Sequence, residues 1–328
     1  MAMVTAEQVR SSVGAWTISR LLRRDVTVHG HLPALTGADG VTRTWSQLGE
    51  EVLAVAGGLS ALGLRRGERM LLGPATRPEH WVVDLASVQL GAIPCTVDAA
   101  LGPDQLHRIA RDSGATVVVL TGPAELTRWA PALAAMPALR GVVVLDGDGH
   151  TRYADLLTAG HDAPLTEDSQ DDPVAVVHTV ADPAGVVVSH RDVLHRCVTQ
   201  ELARPTAPHP RTVAHLPLTH VEDRVLGLYL PVYSAGHVTV CQDPDRLAET
   251  LTTVAPQAFL GAPPAWERLA TLIRHVLSTV DCSVPADETV LAPLRARLGL
   301  DGTVRFGGGA PPEVLDLLAG LGLPVGGA

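Results

Sequence analysis

The stretch from residue 176 to residue 190, VVHTVADPAGVVVSH, has the outline of a phosphate-binding loop without its usual binding groups. Apolar runs typical of strands stand at both of its ends. A loop that binds polyphosphate offers backbone N–H groups between glycines, together with hydroxyls and a lysine. The turn here reads Val180-Ala181-Asp182-Pro183-Ala184. The stretch therefore has the position expected of a phosphate-binding loop, but its turn lacks the glycines, hydroxyls and lysine that would bind phosphate.

A second set of reactive side chains lies in LPLTHVEDR, residues 216–224. His220 is close to Glu222 and Asp223, and a histidine beside a carboxylate is a common acid–base pair. The alternative interpretation is that His220 packs in the wall of a pocket. The chain has neither the HExxH pattern of metalloproteases nor the GxSxG elbow of hydrolases. We therefore take His220 as the leading catalytic candidate, with Glu222 second to it.

The composition limits the possible classes of protein. Of 328 residues, 46% are hydrophobic and 18% charged, which indicates a globular chain with a large core. A net charge of −10 argues against binding to nucleic acid or to an anionic membrane. No apolar run reaches the length of a membrane span, and the N-terminus lacks a signal pattern, so we expect a cytoplasmic protein.

All 25 basic residues are arginine, so no lysine of this chain can serve an adenylation step or a phosphate loop. The cysteines are far apart in apolar surroundings and predict buried thiols, with no zinc site and no disulfide. They are Cys95, Cys197, Cys241 and Cys282. We expect no bound metal.

Strand-like and helix-like segments alternate along the chain, which predicts an α/β fold with mainly parallel sheets. The stretch TWSQLGEEVLAVAGGLSALGL, residues 44–64, reads as a helix stopped by Gly63, and β-branched runs such as ATVVVL, residues 115–120, read as strands. The acidic stretch 160–173 suggests a boundary. We therefore predict a first α/β subdomain over residues 1–165 and a second over residues 166–328 that carries the degenerate loop.

Six blocks in the chain resemble, in order, the N-terminal domain of the adenylate-forming acyl-CoA synthetases, closest to the long-chain fatty acid–CoA ligases. They are RTWSQLGEEV, GLRRGERMLL, RPEHWVVDLASVQLGAIPCTV, HLPLTHVEDRVLGLYLPVYSAGHVTVC, FLGAPPAWERL and GGGAPPEVLDLLAGLGLPV. The resemblance implies a layered αβαβα domain with two mostly parallel sheets. It also implies a reaction that joins a carboxylate to ATP and then passes the acyl group to coenzyme A.

The departures from the family bear on that reaction. The span His178–Gly185 is three residues shorter than the family's phosphate loop. Thr179, Pro183 and Gly185 fit its pattern, whereas Ala184 replaces the lysine and Asp182 adds a carboxylate. The chain ends at GLGLPVGGA, before the family's Y-G-x-T-E motif and its C-terminal lid domain. We therefore expect no ATP, magnesium or coenzyme A as cofactors.

Other family positions are kept. The resemblance assigns a residual adenine loop to five consecutive residues, Gly307, Gly308, Gly309, Ala310 and Pro311. It assigns the acyl pocket to Leu218, Thr219, His220 and Arg224, and we expect Arg224 to form an ion pair with Asp223 or Glu222.

Three hypotheses follow for the function. The first is a degenerate synthetase-like pseudoenzyme that binds a fatty-acyl ligand, another carboxylate or a protein partner. The second is an enzyme with ATP-independent chemistry at His220. The third is an active ligase that a separate C-terminal domain completes.

Overall fold

The computed structural model describes residues 4–158, 163–261, 263–278, 288–303, 305–307 and 309–323. The strands among these residues are β1 (Pro33–Thr36), β2 (Thr42–Thr44), β3 (Arg69–Leu72), β4 (Ile93–Val97), β5 (Val117–Leu120), β6 (Gly141–Val144), β7 (Thr151–Arg152), β8 (Pro173–His178), β9 (Val186–Ser189), β10 (Arg211–Ala214), β11 (His237–Val240), β12 (Ala258–Leu260) and β13 (Arg305–Gly307).

The α-helices in the same ranges are α1 (Ala6–Val13), α2 (Ile18–Val28), α3 (Trp45–Ala61), α4 (Pro78–Gln89), α5 (Pro103–Asp112), α6 (Pro123–Leu133), α7 (Tyr153–Thr158), α8 (His190–Ala203), α9 (Val221–Arg224), α10 (Leu230–Ser234), α11 (Leu247–Val254), α12 (Pro263–Leu277), α13 (Glu288–Arg297) and α14 (Pro312–Gly320). A π-helical turn, Val225–Tyr229, joins α9 to α10, and a 3-10 helix, Pro244–Arg246, precedes α11.

The strands form two mostly parallel sheets, as the sequence predicts. The seven-stranded sheet has the order β7-β6-β5-β3-β4-β8-β9, and the six-stranded sheet has the order β13-β12-β10-β11-β1-β2. Only the pairs β8–β9 and β1–β2 are antiparallel among the described strands. The three apolar clusters place helices α2, α3, α4 and α8 between the sheets, α5 and α6 outside the first, and α11, α12 and α14 outside the second. The result is the predicted αβαβα layering.

The sheets do not follow the boundary predicted between residues 165 and 166. Strands β8 and β9 lie beyond it but complete the seven-stranded sheet, and β1 and β2 lie before it but complete the six-stranded sheet. The acidic segment suggested as a boundary is also tied into the fold. Asp168 is buried, it accepts a hydrogen bond from Ser19, and its Oδ2 lies 3.8 Å from His190 Nε2.

The helix predicted after Thr44 illustrates why the local sequence forms these elements. Thr44 caps α3 by accepting from the Gln47 amide at 3.3 Å, and the Gln47 side chain accepts in turn from the Thr44 amide. Such a capping box satisfies two N–H groups that have no partner inside the helix. Gly63 follows the helix with φ +97°, a conformation that favours glycine. The predicted stop at Gly63 is confirmed.

Two sequence-based expectations about residue environment can be checked in the described part of the chain. Cys95, Cys197 and Cys241 are buried, as predicted, whereas Cys282 lies outside the described residues. None of the described helices combines the length and the apolar character that crossing a membrane requires.

Candidate functional site

The loop between β8 and β9 folds back on itself. The backbone amides of Thr179 and Gly185 both donate to the Asp182 carbonyl at 3.2 Å, and the Asp182 amide donates to Thr179 Oγ1 at 3.0 Å. Below the loop, His178 Nδ1 lies 3.0 Å from the Pro183 carbonyl and therefore donates to it. Three of the loop's N–H groups are thus used inside the loop, where a phosphate-binding loop would direct them at its ligand.

The loop also lacks positive charge. Asp182 and Ala184 are exposed, and residues 179–185 contain no basic side chain. Gly185 has φ +91°, and a Cβ atom there would lie 2.6 Å from His178 Cε1, so the loop approaches the histidine closely. The loop therefore presents one negative charge, the exposed Asp182 carboxylate, and no positive charge.

His220 lies at the edge where the first sheet's parallel strands end. It precedes α9 with an extended backbone, its side chain is 54% exposed, and its Nε2 is 3.9 Å from Asp98 Oδ2. Asp98 directly follows β4, and its amide donates to the carbonyl of His178, the last residue of β8, at 3.1 Å. The carboxyl ends of parallel strands are where α/β proteins bind ligands. His220 and Asp98 thus lie at the edge of the sheet where a ligand-binding site is expected.

Asp223 is the third titratable group of this cluster. Burial raises its pKa to about 7, the neighbouring His220 opposes that shift, and Glu222 and Asp98 add to it. A carboxyl group with a pKa near neutrality can exchange protons at physiological pH. Asp98, His220 and Asp223 are named below as the acid–base cluster.

Arg224 does not belong to that cluster, and the predicted ion pair with Asp223 or Glu222 is wrong. Its side chain is fully buried, and its Nη2 donates to both carboxylate oxygens of Asp84 on α4 at 2.7 Å. Its Nε and Nη2 also donate to the hydroxyl of Tyr229 at 3.1 and 2.7 Å. These hydrogen bonds connect α9 and the π-helical turn to α4. The Arg224–Asp84 pair is fully buried, so solvent does not compete with it.

The other two residues assigned to an acyl pocket are also internal. Leu218 belongs to the apolar cluster between the sheets, and Thr219 is buried. A pocket of about 240 Å³ opens instead on the neighbouring surface. One wall of this pocket is α8, with His195, Arg196, Thr199 and Gln200, and the other wall is Glu222, Val225 and Leu226. We call it the α8 pocket.

Glu222 lies at the junction of the two features. It lines the α8 pocket, and it accepts from Arg196 Nη1 at 3.1 Å. It also acts electrostatically on Asp223 of the acid–base cluster. Glu222 thus lines the α8 pocket and also influences the acid–base cluster electrostatically.

The glycine-rich segment assigned to adenine is only partly described. Gly307 ends β13, which pairs with β12, and Gly309 has φ +64°. Ala310 packs on the apolar cluster of the second sheet, and the Pro311 carbonyl accepts from the Val314 amide at the start of α14. Gly308 lies outside the described residues.

Sequence reasoning named His220 as a candidate but did not name Asp98, which lies beside it, or Arg196, which pairs with Glu222. Asp98 could have been found, because it follows a predicted strand at the sheet edge where ligands bind. Arg196 had no such signal, since its role depends on α8 lying beside residue 222. The described residues contain no cluster of three or more His, Cys, Asp or Glu side chains that could hold a metal ion.

The layered fold, with a strand–loop–strand hairpin beside the His220 segment, is that of the large domain of adenylate-forming enzymes. The adenylation domain of a carboxylate reductase from Mycobacterium chelonae has a similar structure, with a TM-score of 0.76 and 18% identity over 96% of this chain and 58% of that chain. A long-chain-fatty-acid-CoA ligase from Archaeoglobus fulgidus has a TM-score of 0.75 and 17% identity over 93% and 61%.

The chain belongs to the AMP-binding enzyme family, whose model matches residues 22–317. It is 23% identical over 372 aligned positions to the long-chain-fatty-acid–CoA ligase ACSBG2 of Xenopus laevis, covering 94% of this chain and 50% of that protein. It is 25% identical over 238 positions to the long-chain-fatty-acid–CoA ligase FadD15 of Mycobacterium tuberculosis, covering 69% and 40%. The chain thus spans about half the length of these relatives or less.

Proposed function

We propose that this chain binds an acyl ligand in the inherited site and does not activate it with ATP. The observation that carries the proposal is the closed β8–β9 loop beside an open acid–base cluster and pocket. The relatives are named as fatty-acid–CoA ligases, which supports a carboxylate or its thioester as the class of ligand.

Three separate features of the β8–β9 loop argue against adenylation. Its Thr179, Asp182 and Gly185 amides already have partners inside the loop. The exposed carboxylate of Asp182 repels phosphate oxygens, and Ala184 supplies no cation. Removing one preorganised donor from a catalytic site typically slows a reaction by about 10²–10³. A separate C-terminal domain would not repair this loop, so the active-ligase hypothesis is disfavoured.

The acyl side of the site supports binding. His220 is half exposed at the sheet edge, and Glu222, two residues further along the chain, lines the α8 pocket. We assign the carboxyl or thioester end of the ligand to His220 and its tail to the pocket. Arg224 contributes by anchoring α9, from which Glu222 projects, and not by touching the ligand.

Octanoate is expected to raise the melting temperature of the protein by a few degrees at saturating concentration, and ATP is expected to leave it unchanged. A ligand that binds only the folded state stabilises it by about 2.7 kcal/mol at a hundred times its Kd. His220→Gln should reduce the octanoate shift, because the ligand's polar end then loses its partner.

His150→Gln, a change in the exposed turn between β6 and β7, serves as the matched control and should bind octanoate normally. The same samples should give no octanoate-dependent exchange of pyrophosphate into ATP. A thermal shift with ATP, or exchange above the background without octanoate, would contradict the proposal.

The approach of Asp98 to the exposed His220 favours a second candidate function, hydrolysis of an acyl thioester without ATP. In this reaction His220 takes a proton from a water molecule whose oxygen bonds to the carbonyl carbon. The carbon–sulfur bond then breaks, and the proton returns to the leaving thiolate. The Asp98 carboxylate, 3.9 Å from His220 Nε2, orients the imidazole during the transfer.

For this second candidate, octanoyl-CoA hydrolysis should fall by about 10²–10⁴ in His220→Gln. Release of free thiol, followed as a function of pH, is the measurement. Asp223→Asn should alter the pH profile near neutrality, because the group with a pKa of about 7 is removed. Equal rates in the wild type and in His220→Gln would eliminate thioester hydrolysis at this cluster.

A further inference from the structure

Strand β9 forms one edge of the seven-stranded sheet and is unusually apolar for an edge. Its only partner among the described strands is β8, so its second edge has no described strand beside it. Three of its four residues are valines, and Val186 and Val187 are 39% and 54% exposed. Val180, in the loop that connects β8 to β9, is also exposed. A free edge of this kind can pair with the backbone of another chain.

Two other edge strands, β7 and β2, have the protection that natural sheet edges usually carry. Strand β7 is only two residues long, and its Arg152 pairs with Asp155. Strand β2 has three residues and contains Arg43, which pairs with Glu51. Strand β9 contains neither a charged side chain nor a proline. Compared with β7 and β2, it is the edge better suited to accept an added strand.

An added strand would meet an exposed valine on each face of β9. Val188 is buried in the apolar cluster between the sheets, so Val186, two residues before it, lies on the same face. Val187 lies on the opposite face, where its register partner on β8 is Val176. The alternating side chains of an extended segment would therefore contact Val186 on one face and Val187 on the other. β-Branched residues pack well beside valines of a neighbouring strand.

The charges at the two ends of β9 indicate what should flank such a segment. Asp182, in the loop before the strand, and Asp192, on the first turn of α8, are both exposed. The one basic side chain that is always charged between residues 179 and 192, Arg191, already pairs with Asp171 at 2.9 Å. A second copy of the chain would bring the same carboxylates and a net charge of −10, which opposes self-association. Basic residues at the ends of the segment complement this edge.

We propose that β9 is a docking site for an extended segment of another protein, β-branched and apolar at its centre and basic at its ends. The segment adds to the seven-stranded sheet as a further strand. Backbone hydrogen bonds to the free edge supply affinity, and contacts with Val186 and Val187 supply selectivity. This inference is independent of the proposed acyl ligand, because β9 belongs neither to the acid–base cluster nor to the α8 pocket.

The test uses three end-blocked, rhodamine-labelled peptides, whose affinities for the protein are measured by fluorescence anisotropy. RVTVTVR has the proposed pattern, EVTVTVE has acidic ends, and RVTPTVR has a central proline that interrupts strand pairing. At low salt RVTVTVR should bind about tenfold more tightly than EVTVTVE, because two end charges are reversed. At about 0.5 M salt the difference should shrink to about threefold or less, because exposed charges are screened. RVTPTVR should show no binding.

Val187→Asp should weaken the binding of RVTVTVR at least about fivefold, although it adds a negative charge, because it places a carboxylate on the apolar edge. Val41→Asp is the matched control and should bind the peptide normally, since Val41 is also 54% exposed but lies outside β9. Asp182→Asn should narrow the preference for basic ends. Melting temperatures without peptide check that each variant is folded.

Equal binding of RVTVTVR and RVTPTVR, or no binding of either, would overturn the inference. Unchanged binding in Val187→Asp together with an unchanged preference in Asp182→Asn would also overturn it, because the peptide would then bind elsewhere. A dimer in sedimentation velocity that Val187→Asp dissociates would assign the edge to a second copy of the chain and would equally contradict the proposal.

Discussion

Arg224→Met should lower the free energy of unfolding by about 3–5 kcal/mol, because it leaves the Asp84 carboxylate buried without its partner. Both side chains are fully buried, and Arg224 Nη2 holds the two oxygens of Asp84 at 2.7 Å. Burial already raises the pKa of Asp84 with Arg224 present. Without the guanidinium, Asp84 must take up a proton or leave the core. Chemical denaturation followed by circular dichroism measures the loss.

Two further variants separate the ion pair from packing. Arg196→Met removes an arginine that is half exposed and paired on the surface, and it should change stability by less than about 1 kcal/mol. Arg224→Met combined with Asp84→Leu replaces both charges by apolar groups and should recover most of the loss. A single Arg224→Met variant as stable as the wild type would show that the pair does not hold α9 against α4.

Asp25→Asn should stabilise the protein by about 2 kcal/mol at about pH 8.5 and give no gain at about pH 4. Asp25 on α2 is fully buried, and within the described residues its Oδ2 has no hydrogen-bond partner. Burial raises its pKa from 3.8 to about 7, and the adjacent Arg24 opposes that shift. The asparagine keeps an acceptor for Arg24 and never ionises.

The direction of this pH dependence follows from the protonation of Asp25 in the folded and the unfolded state. Between about pH 4 and pH 7 the folded state keeps the proton on Asp25 and the unfolded state releases it. Stability of the wild type therefore falls through that interval as pH rises, and Asp25→Asn removes this part of the slope. Asp148→Asn, at an exposed turn, is the control and should leave the pH profile unchanged. Parallel profiles for wild type and Asp25→Asn would contradict the prediction.

Local signals predicted much of the fold. Thr44 and Gly63 bracket α3, and the β-branched runs at residues 117–120 and 141–144 are buried strands in the first sheet. Strands β1 and β2 were missed, because four and three residues are too short to establish a period. The parallel partner of β1, β11, lies about two hundred residues further along the chain, so only the folded chain reveals that pairing.

The candidate site could likewise be predicted only where a local sequence pattern exists. The sequence alone singled out His220 as a candidate and Asp182 and Ala184 as unusual residues of the β8–β9 loop. The partner of Arg224 could not be recognised in this way, since Asp84 is 140 residues away and acidic neighbours were closer in sequence. Pairing across such distances depends on how α4 and α9 pack, which no local pattern encodes.

The interleaving of the two sheets sets the order in which a growing chain can fold. Leu35 of β1 lies beside Val238 of β11, so the first strand must wait for about two hundred more residues to leave the ribosome. At about 5–20 residues per second, that wait is on the order of ten to forty seconds. During that time β1 has β2 as its neighbour, and its other edge lacks β11. The β1–β2 pair therefore joins the six-stranded sheet only late in synthesis.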